Sequence, residues 1–278
     1  MEIMEIIKEA FIFPSQNLDK LAVYIVLTFI IGILFAGGIV SAVFGITDSS
    51  IYFIITAILF ILGILVSFVL SGYHISLLKS GIDQDEKAPG FEWKDNLITG
   101  IKMLIVSIVY FIIPAIVFAI LSLVTNIPGQ VNDIPEQAII SSVNATAVAN
   151  SSAPAVSAIS QSAMASLVGS IAITGIIAAI FFIIFAFLQT MGQSRLANTG
   201  SLGEAVNIPE AYRDITRIGV GKTIGLVLFV IIIVAVIQGI IGYVSGQVPQ
   251  LSIISIVVTP YLAFFTQRAI GLLYSDIA

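Results

Sequence analysis

The side chains that could do chemistry in this sequence are few, and they form no catalytic or metal-binding pattern. His74 is the only histidine, and the nearest acids, Asp83, Asp85 and Glu86, do not have the spacing of a calcium loop. The chain has no cysteine, so it offers neither a thiol nucleophile nor a thiolate metal site. It also lacks the G-x-S-x-G turn of a serine hydrolase. The residues therefore predict no enzyme activity, no cofactor and no metal.

Three polar residues within apolar stretches could line a path for a neutral solute. They are Gln189, Gln238 and Tyr110. Amides and hydroxyls in membrane helices also hydrogen-bond to neighbouring helices, so a structural role fits the same residues. No Asp, Glu, Lys, Arg or His occurs in residues 103–132 or 223–267. Because charged groups inside a membrane are the usual mark of ion or proton transport, this argues against transport through a charged site.

The elements that position these residues follow from a strongly apolar composition. Hydrophobic residues make up 58% of the 278 residues, and only 11 basic and 16 acidic residues occur. A soluble domain has about 25% charged residues, and a net charge of −5 does not attract nucleic acid. Six apolar stretches are long enough, or nearly so, to span a bilayer as helices. They are residues 21–46, 51–71, 103–124, 166–189, 223–243 and 251–273.

The number and direction of the spans depend on the basic residues. The sixth stretch is long enough only if Arg268 reaches the lipid headgroups, so five spans are the alternative to six. If both termini are cytoplasmic, all 11 Lys and Arg residues fall on the cytoplasmic side. The opposite loops, residues 47–50, 125–164 and 244–250, contain none. The positive-inside rule therefore predicts a multi-pass protein of the cell membrane with both termini in the cytoplasm.

The chain divides into four parts on this topology. Residues 1–20 form an N-terminal segment, 21–124 a first half, 125–164 an external loop rich in Ser, Ala and Asn, and 165–278 a second half. The loop contains glycan acceptor sequons at Asn144 and Asn150, although sequons also arise by chance in such a composition.

The N-terminal segment has the pattern of an amphipathic helix. Apolar residues recur at helical spacing in residues 2–13, with acidic residues on the other face, and Pro14 is expected to end the helix. Such a helix either lies on the inner leaflet or packs as a cap on the bundle.

The two inner segments resemble each other. In each, a glycine lies where a helix leaves the membrane, a second glycine ends that helix, and a proline-led turn with an aromatic residue and an aspartate follows. The positions are Gly72, Gly81, Pro89, Trp93 and Asp95 in the first segment, and Gly192, Arg195, Gly200, Pro209, Tyr212 and Asp214 in the second. An even number of spans separates the copies, so a duplication would give two parallel half-units. Interfacial composition alone is the other explanation.

Both inner segments also predict short helices at the membrane interface. Residues 208–218 carry an apolar stripe, with Arg213, Asp214 and Arg217 turned toward water, and a helix start at Asn207. Phe91 and Trp93 are expected to play the matching part in the first segment.

The motifs of the inner segments resemble those of a known family. Residues 72–114 contain Gly-x8-Gly, Pro-Gly-Phe-Glu-Trp-Lys-Asp and Gly-Ile-Lys, followed by Tyr110 and Pro114. This region resembles the first half of a prokaryotic, largely archaeal, multi-pass membrane family of unknown function, DUF4013. Residues 200–206, the Tyr-Arg-Asp at 212–214 and residues 260–278 are similar to its later parts. The resemblance implies a helical integral membrane protein and carries over no activity.

The sequence thus predicts an all-α integral membrane protein. We expect a six-helix transmembrane bundle with a parallel internal repeat and cytoplasmic interfacial helices. One function that fits is a non-enzymatic membrane scaffold or accessory protein, whose partners are membrane lipid, copies of itself or another membrane protein, and not nucleic acid. The alternative is a permease or channel for a small neutral or amphiphilic solute, which would pass between the two halves.

Overall fold

The computed structural model describes residues 1–47, 49–132 and 161–278, and every regular element in these residues is helical. Asn144, Asn150 and most of the predicted external loop lie outside the described residues. Six helices are long and apolar enough to span a membrane, as expected for a multi-pass membrane protein. They are Leu18–Thr47, Ile51–Ile82, Trp93–Val124, Met164–Thr199, Val220–Gln247 and Gln250–Tyr274.

The helices are named in chain order. They are α1 (Ile3–Gln16), α2 (Leu18–Thr47), α3 (Ile51–Ile82), α4 (Trp93–Val124), α5 (Ile127–Asn132), α6 (Gln161–Thr199), α7 (Leu202–Ala205), α8 (Ile208–Ile218), α9 (Val220–Gln247) and α10 (Ile254–Tyr274), with a 3₁₀ turn at Pro249–Ile253 before α10.

Backbone contacts group the chain into two compact units. The first unit is Met1–Ile108 with Phe187–Ala278, and the second is Val109–Ala186. In the second unit, Thr125 hydrogen-bonds to Thr174 at 3.0 Å between their hydroxyl oxygens, and Gln130 Nε2 donates to Ser170 Oγ at 3.0 Å. Hydroxyl and amide side chains thus hold that unit's helices together. The two halves predicted from the sequence, residues 21–124 and 165–278, are defined by an internal repeat and not by contacts. That division stays a prediction.

The core of the first unit is an aromatic cluster where α2, α3 and α10 meet. Tyr24, Tyr73 and Phe264 are buried together, and the ring of Tyr73 stacks on Phe91 with 3.8 Å between the ring centroids. The Tyr24 hydroxyl also hydrogen-bonds to Nε2 of His74 at 2.5 Å. Stacked and edge-on aromatic pairs add to the area that they bury, so this cluster fixes how the three helices meet.

Glycines let helices of the first unit cross in backbone contact. A Cβ on Gly72 of α3 would lie 1.8 Å from the backbone oxygen of Asn96, and one on Gly100 of α4 would lie 1.9 Å from that of Phe68. Between α3 and α10, a Cβ on Gly271 would lie 2.3 Å from the backbone oxygen of Leu78. Because only glycine lacks a Cβ, α3 can approach both neighbours this closely.

Helix α1 packs on α10 through its apolar face. Ile6, Ala10 and Phe13 are buried, so protein covers this face. The helix continues to Gln16, and the prediction that Pro14 ends it is wrong. Proline interrupts only one helical hydrogen bond here, in the last turn. The helix ends at Asn17, whose Nδ2 donates to the Phe13 carbonyl at 3.0 Å.

Candidate functional site

The charged residues of the described chain gather in one region, which we call the charged end. It comprises α1, α7, α8, the starts of α2, α4 and α9, the ends of α3, α6 and α10, and the segments that join or flank them. All of it belongs to the first unit. Two buried arginines and two lysines organise it, each by contacts between elements far apart in the sequence.

Arg268 holds four elements together although it is only 2% exposed. Its Nη1 donates to the carbonyls of Ser80 at 2.7 Å and Asp85 at 2.6 Å, and its Nη2 donates to Glu9 Oε1 at 2.6 Å. The guanidinium also lies 4.5 Å from the ring centroid of Phe13. The sequence made the sixth span depend on this side chain reaching the headgroups. Instead it pairs within the protein, with the carbonyl of Ser80 in the last turn of α3 and that of Asp85 in the segment that follows.

A cavity of about 560 Å³ lies beside Arg268. Its charged lining consists of Arg268 and Lys87 with Glu9 and Glu86. Because two positive and two negative side chains balance, the cavity has no net preference for an anion or a cation.

Arg195 and Asp214 form the second buried pair. Asp214 is 1% exposed and accepts hydrogen bonds from Arg195 Nη1 at 2.9 Å, the Tyr274 hydroxyl at 3.0 Å and Arg217 Nη1 at 3.2 Å. Arg195 also pairs with Glu204. The prediction that Asp214 faces water is therefore wrong. Its carboxylate can be buried because three hydrogen-bond donors replace the water that it loses. The pair joins α6, α8 and α10.

We expect Asp214→Asn to lower the free energy of unfolding by about 3 kcal/mol, since a broken buried pair leaves an uncompensated charge. Denaturant titration in mild detergent would measure the loss. The matched control is Arg213→Gln, which removes an exposed pair with Glu210 on the same helix and should cost less than about 1 kcal/mol. Equal losses in the two variants would contradict a special role for the buried pair.

Two lysines make comparable contacts at the starts of α4 and α9. Lys102 Nζ donates to the Gly200 carbonyl at 2.8 Å, just past the end of α6, and Lys222 pairs with Asp276, just past the end of α10. Gly200 has φ +66°, a left-handed conformation that favours glycine, and α6 stops before it as the sequence predicts.

The remaining motif residues of the two inner segments differ in their structure. Residues 83–92 contain no helix, so the interfacial helix expected in the first segment is absent from it. The Tyr73 hydroxyl donates to the Pro89 carbonyl at 3.0 Å and Asn17 Oδ1 accepts from the Ala88 N–H at 2.7 Å, and these two bonds hold the segment against α1, α2 and α3. Trp93, 56% exposed, and the exposed Asp95 begin α4.

In the second segment, the start of α8 follows the prediction. Its N-cap is Asn207, whose side chain accepts from the N–H of Glu210 at 3.3 Å, and Pro209 lies in the first turn. Tyr212 of this helix is 60% exposed. Gly192 is buried within α6.

The three residues of the predicted polar path lie in different surroundings. Gln189 Nε2 donates to Ser107 Oγ at 2.7 Å, and Gln238 Nε2 donates to Thr259 Oγ1 at 3.2 Å. Both amides thus link neighbouring helices of the first unit. Tyr110 belongs to the second unit and is fully buried there. In the described part of the chain, no group of three His, Cys, Asp or Glu side chains could hold a metal.

Sequence reasoning missed several residues of the charged end. Glu9, Asn17, Tyr24 and Tyr274 bond to residues 50 to 259 positions away. Asn17, directly after an amphipathic helix, had a local signal as a helix end. The other three had none, because only the tertiary fold brings their partners near.

The comparisons with known proteins identify a family and no individual relative. No curated protein and no solved structure matches the chain. The match to a family model covers residues 55–246, so it contains both inner segments and stops before α10. Since it covers more than half of the 278 residues, the chain belongs to the family described as "Protein of unknown function (DUF4013)".

Proposed function

We propose that this protein is a non-enzymatic membrane scaffold or accessory protein. The observation that carries the proposal is the contrast between its charged end and its spans. At the charged end, Arg268 and Arg195 bond to other elements of the same chain and so join the region into one platform. In five of the six spans only 11–17% of the most apolar stretch is buried, so long apolar faces are free to contact lipid or another membrane protein.

Single cysteines can test this because the chain has none of its own. Ile64→Cys on α3 and Ile232→Cys on α9 place thiols at side chains that are 45% and 59% exposed. A thiol cross-linker in native membranes is expected to give one product of fixed size from at least one of them. The matched control is Leu226→Cys on α9, a fully buried position, which should give none.

Purification in mild detergent with native mass spectrometry would then give the stoichiometry of the assembly. A chain that is only monomeric, or that releases a neutral solute from liposomes, would contradict the scaffold proposal. Solute release would support the second candidate, a permease or channel for a neutral or amphiphilic solute. Two buried polar atoms favour that alternative: Gln267 Oε1 on α10 and Thr223 Oγ1 on α9 have no hydrogen-bond partner in the described chain.

The proposed orientation places the charged end in the cytoplasm and both termini with it, in the cell membrane. The partition of all Lys and Arg residues to one side of the spans supports this. On this orientation, α1 and α8 are cytoplasmic helices at the inner leaflet. The parallel repeat is part of the same proposal, and the Lys102 and Lys222 contacts support it. Each lysine lies in the first third of an outgoing helix and binds the segment just past the end of the next returning one.

The orientation predicts a labelling result. In Asn144→Cys, the thiol is expected to react with a membrane-impermeant maleimide on intact cells, because residue 144 lies in the loop without basic residues. Lys94→Cys, an exposed position in the first turn of α4, is the control and should react only after the membrane is opened. Labelling of the control but not of Asn144→Cys on intact cells would reverse the proposed topology.

A further inference from the structure

A crevice at the charged end lies where α3, α4 and the end of α6 meet. Its volume is about 170 Å³, compared with about 30 Å³ for one water molecule in the liquid. The polar part of its wall consists of Ser76, Lys79, Thr99 and Lys102, and Ile75 and Leu196 supply apolar wall. It is thus large enough for a phosphate group with some of its water.

The charge of this crevice differs from that of the cavity beside Arg268. Among the described residues, both charged side chains that line it are lysines and no carboxylate lines it. Lys102 uses one of its three N–H donors on the Gly200 carbonyl, and Lys79 pairs with Asp83 at 3.0 Å outside the lining. Each ammonium therefore keeps donors for an anion. Behind Ser76 lies Asn96, which is 2% exposed and accepts from the serine hydroxyl at 3.2 Å. Its Nδ2 has no hydrogen-bond partner in the described part of the chain.

The surface next to the crevice is apolar. Ile98, Ile101 and Ile105 of α4 share one helical face and are 45%, 43% and 38% exposed. This face begins beside Thr99 and Lys102 and continues along the membrane-spanning part of the helix. A ligand with both a phosphate and acyl chains would contact the crevice and the apolar face, whereas a soluble phosphate would contact only the crevice.

We propose that this crevice binds the phosphate of an anionic phospholipid, with the acyl chains along the exposed isoleucine face of α4. Basic pockets between membrane helices recognise anionic headgroups in this way. The site goes beyond the scaffold proposal and is independent of it, because cross-linking between exposed cysteines does not require a bound lipid.

Native mass spectrometry of the full chain in mild detergent can test the site with phosphatidylglycerol and phosphatidylcholine as probes. We expect phosphatidylglycerol to bind several-fold more tightly. Lys79→Gln and Lys102→Gln should each weaken it about fivefold, which corresponds to about 1 kcal/mol for one lysine near an anionic lipid. Lys102→Arg, which keeps the charge, should retain the preference. The matched control is Lys94→Gln on the same helix, outside the crevice, which should leave binding unchanged.

Three results would overturn the proposal. The first is equal affinity for the two lipids. The second is a loss in Lys94→Gln as large as in the crevice variants. The third is displacement of the lipid by inorganic phosphate, which would assign the crevice to a soluble ligand. Lys79→Gln keeps the test valid if Lys102→Gln fails to fold, because the side chain of Lys79 is 52% exposed and pairs with Asp83 in the neighbouring turn.

Discussion

Replacing Gly72 with alanine is expected to cost about 3 kcal/mol of the free energy of unfolding, at the upper end for added volume in a packed interior. The new Cβ would lie 1.8 Å from the backbone oxygen of Asn96, where a carbon and a carbonyl oxygen normally stay about 3.3–3.6 Å apart. A backbone atom cannot rotate away as a side chain can. Helices α3 and α4 would therefore have to separate by about 1.5 Å, the difference between these two distances.

The single tryptophan provides the measurement. Trp93 begins α4 beside this crossing, so its fluorescence during denaturant titration in mild detergent reports how α4 packs. Gly242→Ala on α9 is the matched control, because no atom of the described residues lies within 4 Å of a Cβ there. It should be neutral or stabilise its helix by up to about 1 kcal/mol. If the two variants unfold alike, the close crossing of α3 and α4 does not exist in the folded protein.

Replacing Arg268 with methionine is expected to lower the free energy of unfolding by about 3–5 kcal/mol, the usual cost of removing one partner of a buried pair. The change takes away the donor from the carbonyls of Ser80 and Asp85 and the cation from Glu9. Methionine has a similar length and is apolar, so it fills the space without restoring any of these bonds. Limited proteolysis should then release α1, which Arg268 helps to hold.

The control for Arg268 is another cation of the same cavity. Lys87 is exposed, and Lys87→Met should change stability by no more than about 0.5 kcal/mol. It should also leave α1 protected from protease. If Arg268→Met is as stable as Lys87→Met, the four elements around Arg268 are held by apolar packing alone.

The features that could be predicted from the sequence are those that depend on neighbouring residues. The six spans follow from length and hydropathy, and the start of α8 follows from Asn207 and Pro209. Gly200 stops α6 because a left-handed conformation is a local property. The sequence singled out Gly72 and Gly81 as glycines of a repeated motif. It could not show their close contacts, because the backbones that they face, at Asn96 and Gly271, come from other helices.

The buried charges could not be predicted, because their partners lie on elements that are distant in the sequence. Asp214 belongs to the polar face of α8, and nothing in residues 208–218 shows that Arg195 and Tyr274 will surround it. A short amphipathic pattern places charges on one side of a helix. It does not say whether water or another part of the protein lies on that side.

The pair formed by Glu9 and Arg268 also bears on the order of assembly during synthesis. The two residues are 259 positions apart, so at about 5–20 residues per second a ribosome makes the second tens of seconds after the first. In that interval the apolar face of α1, with Ile6 and Phe13, has no α10 to pack against. Lipid or the insertion machinery must cover that face first, and the first unit can close only when its last helix has left the ribosome.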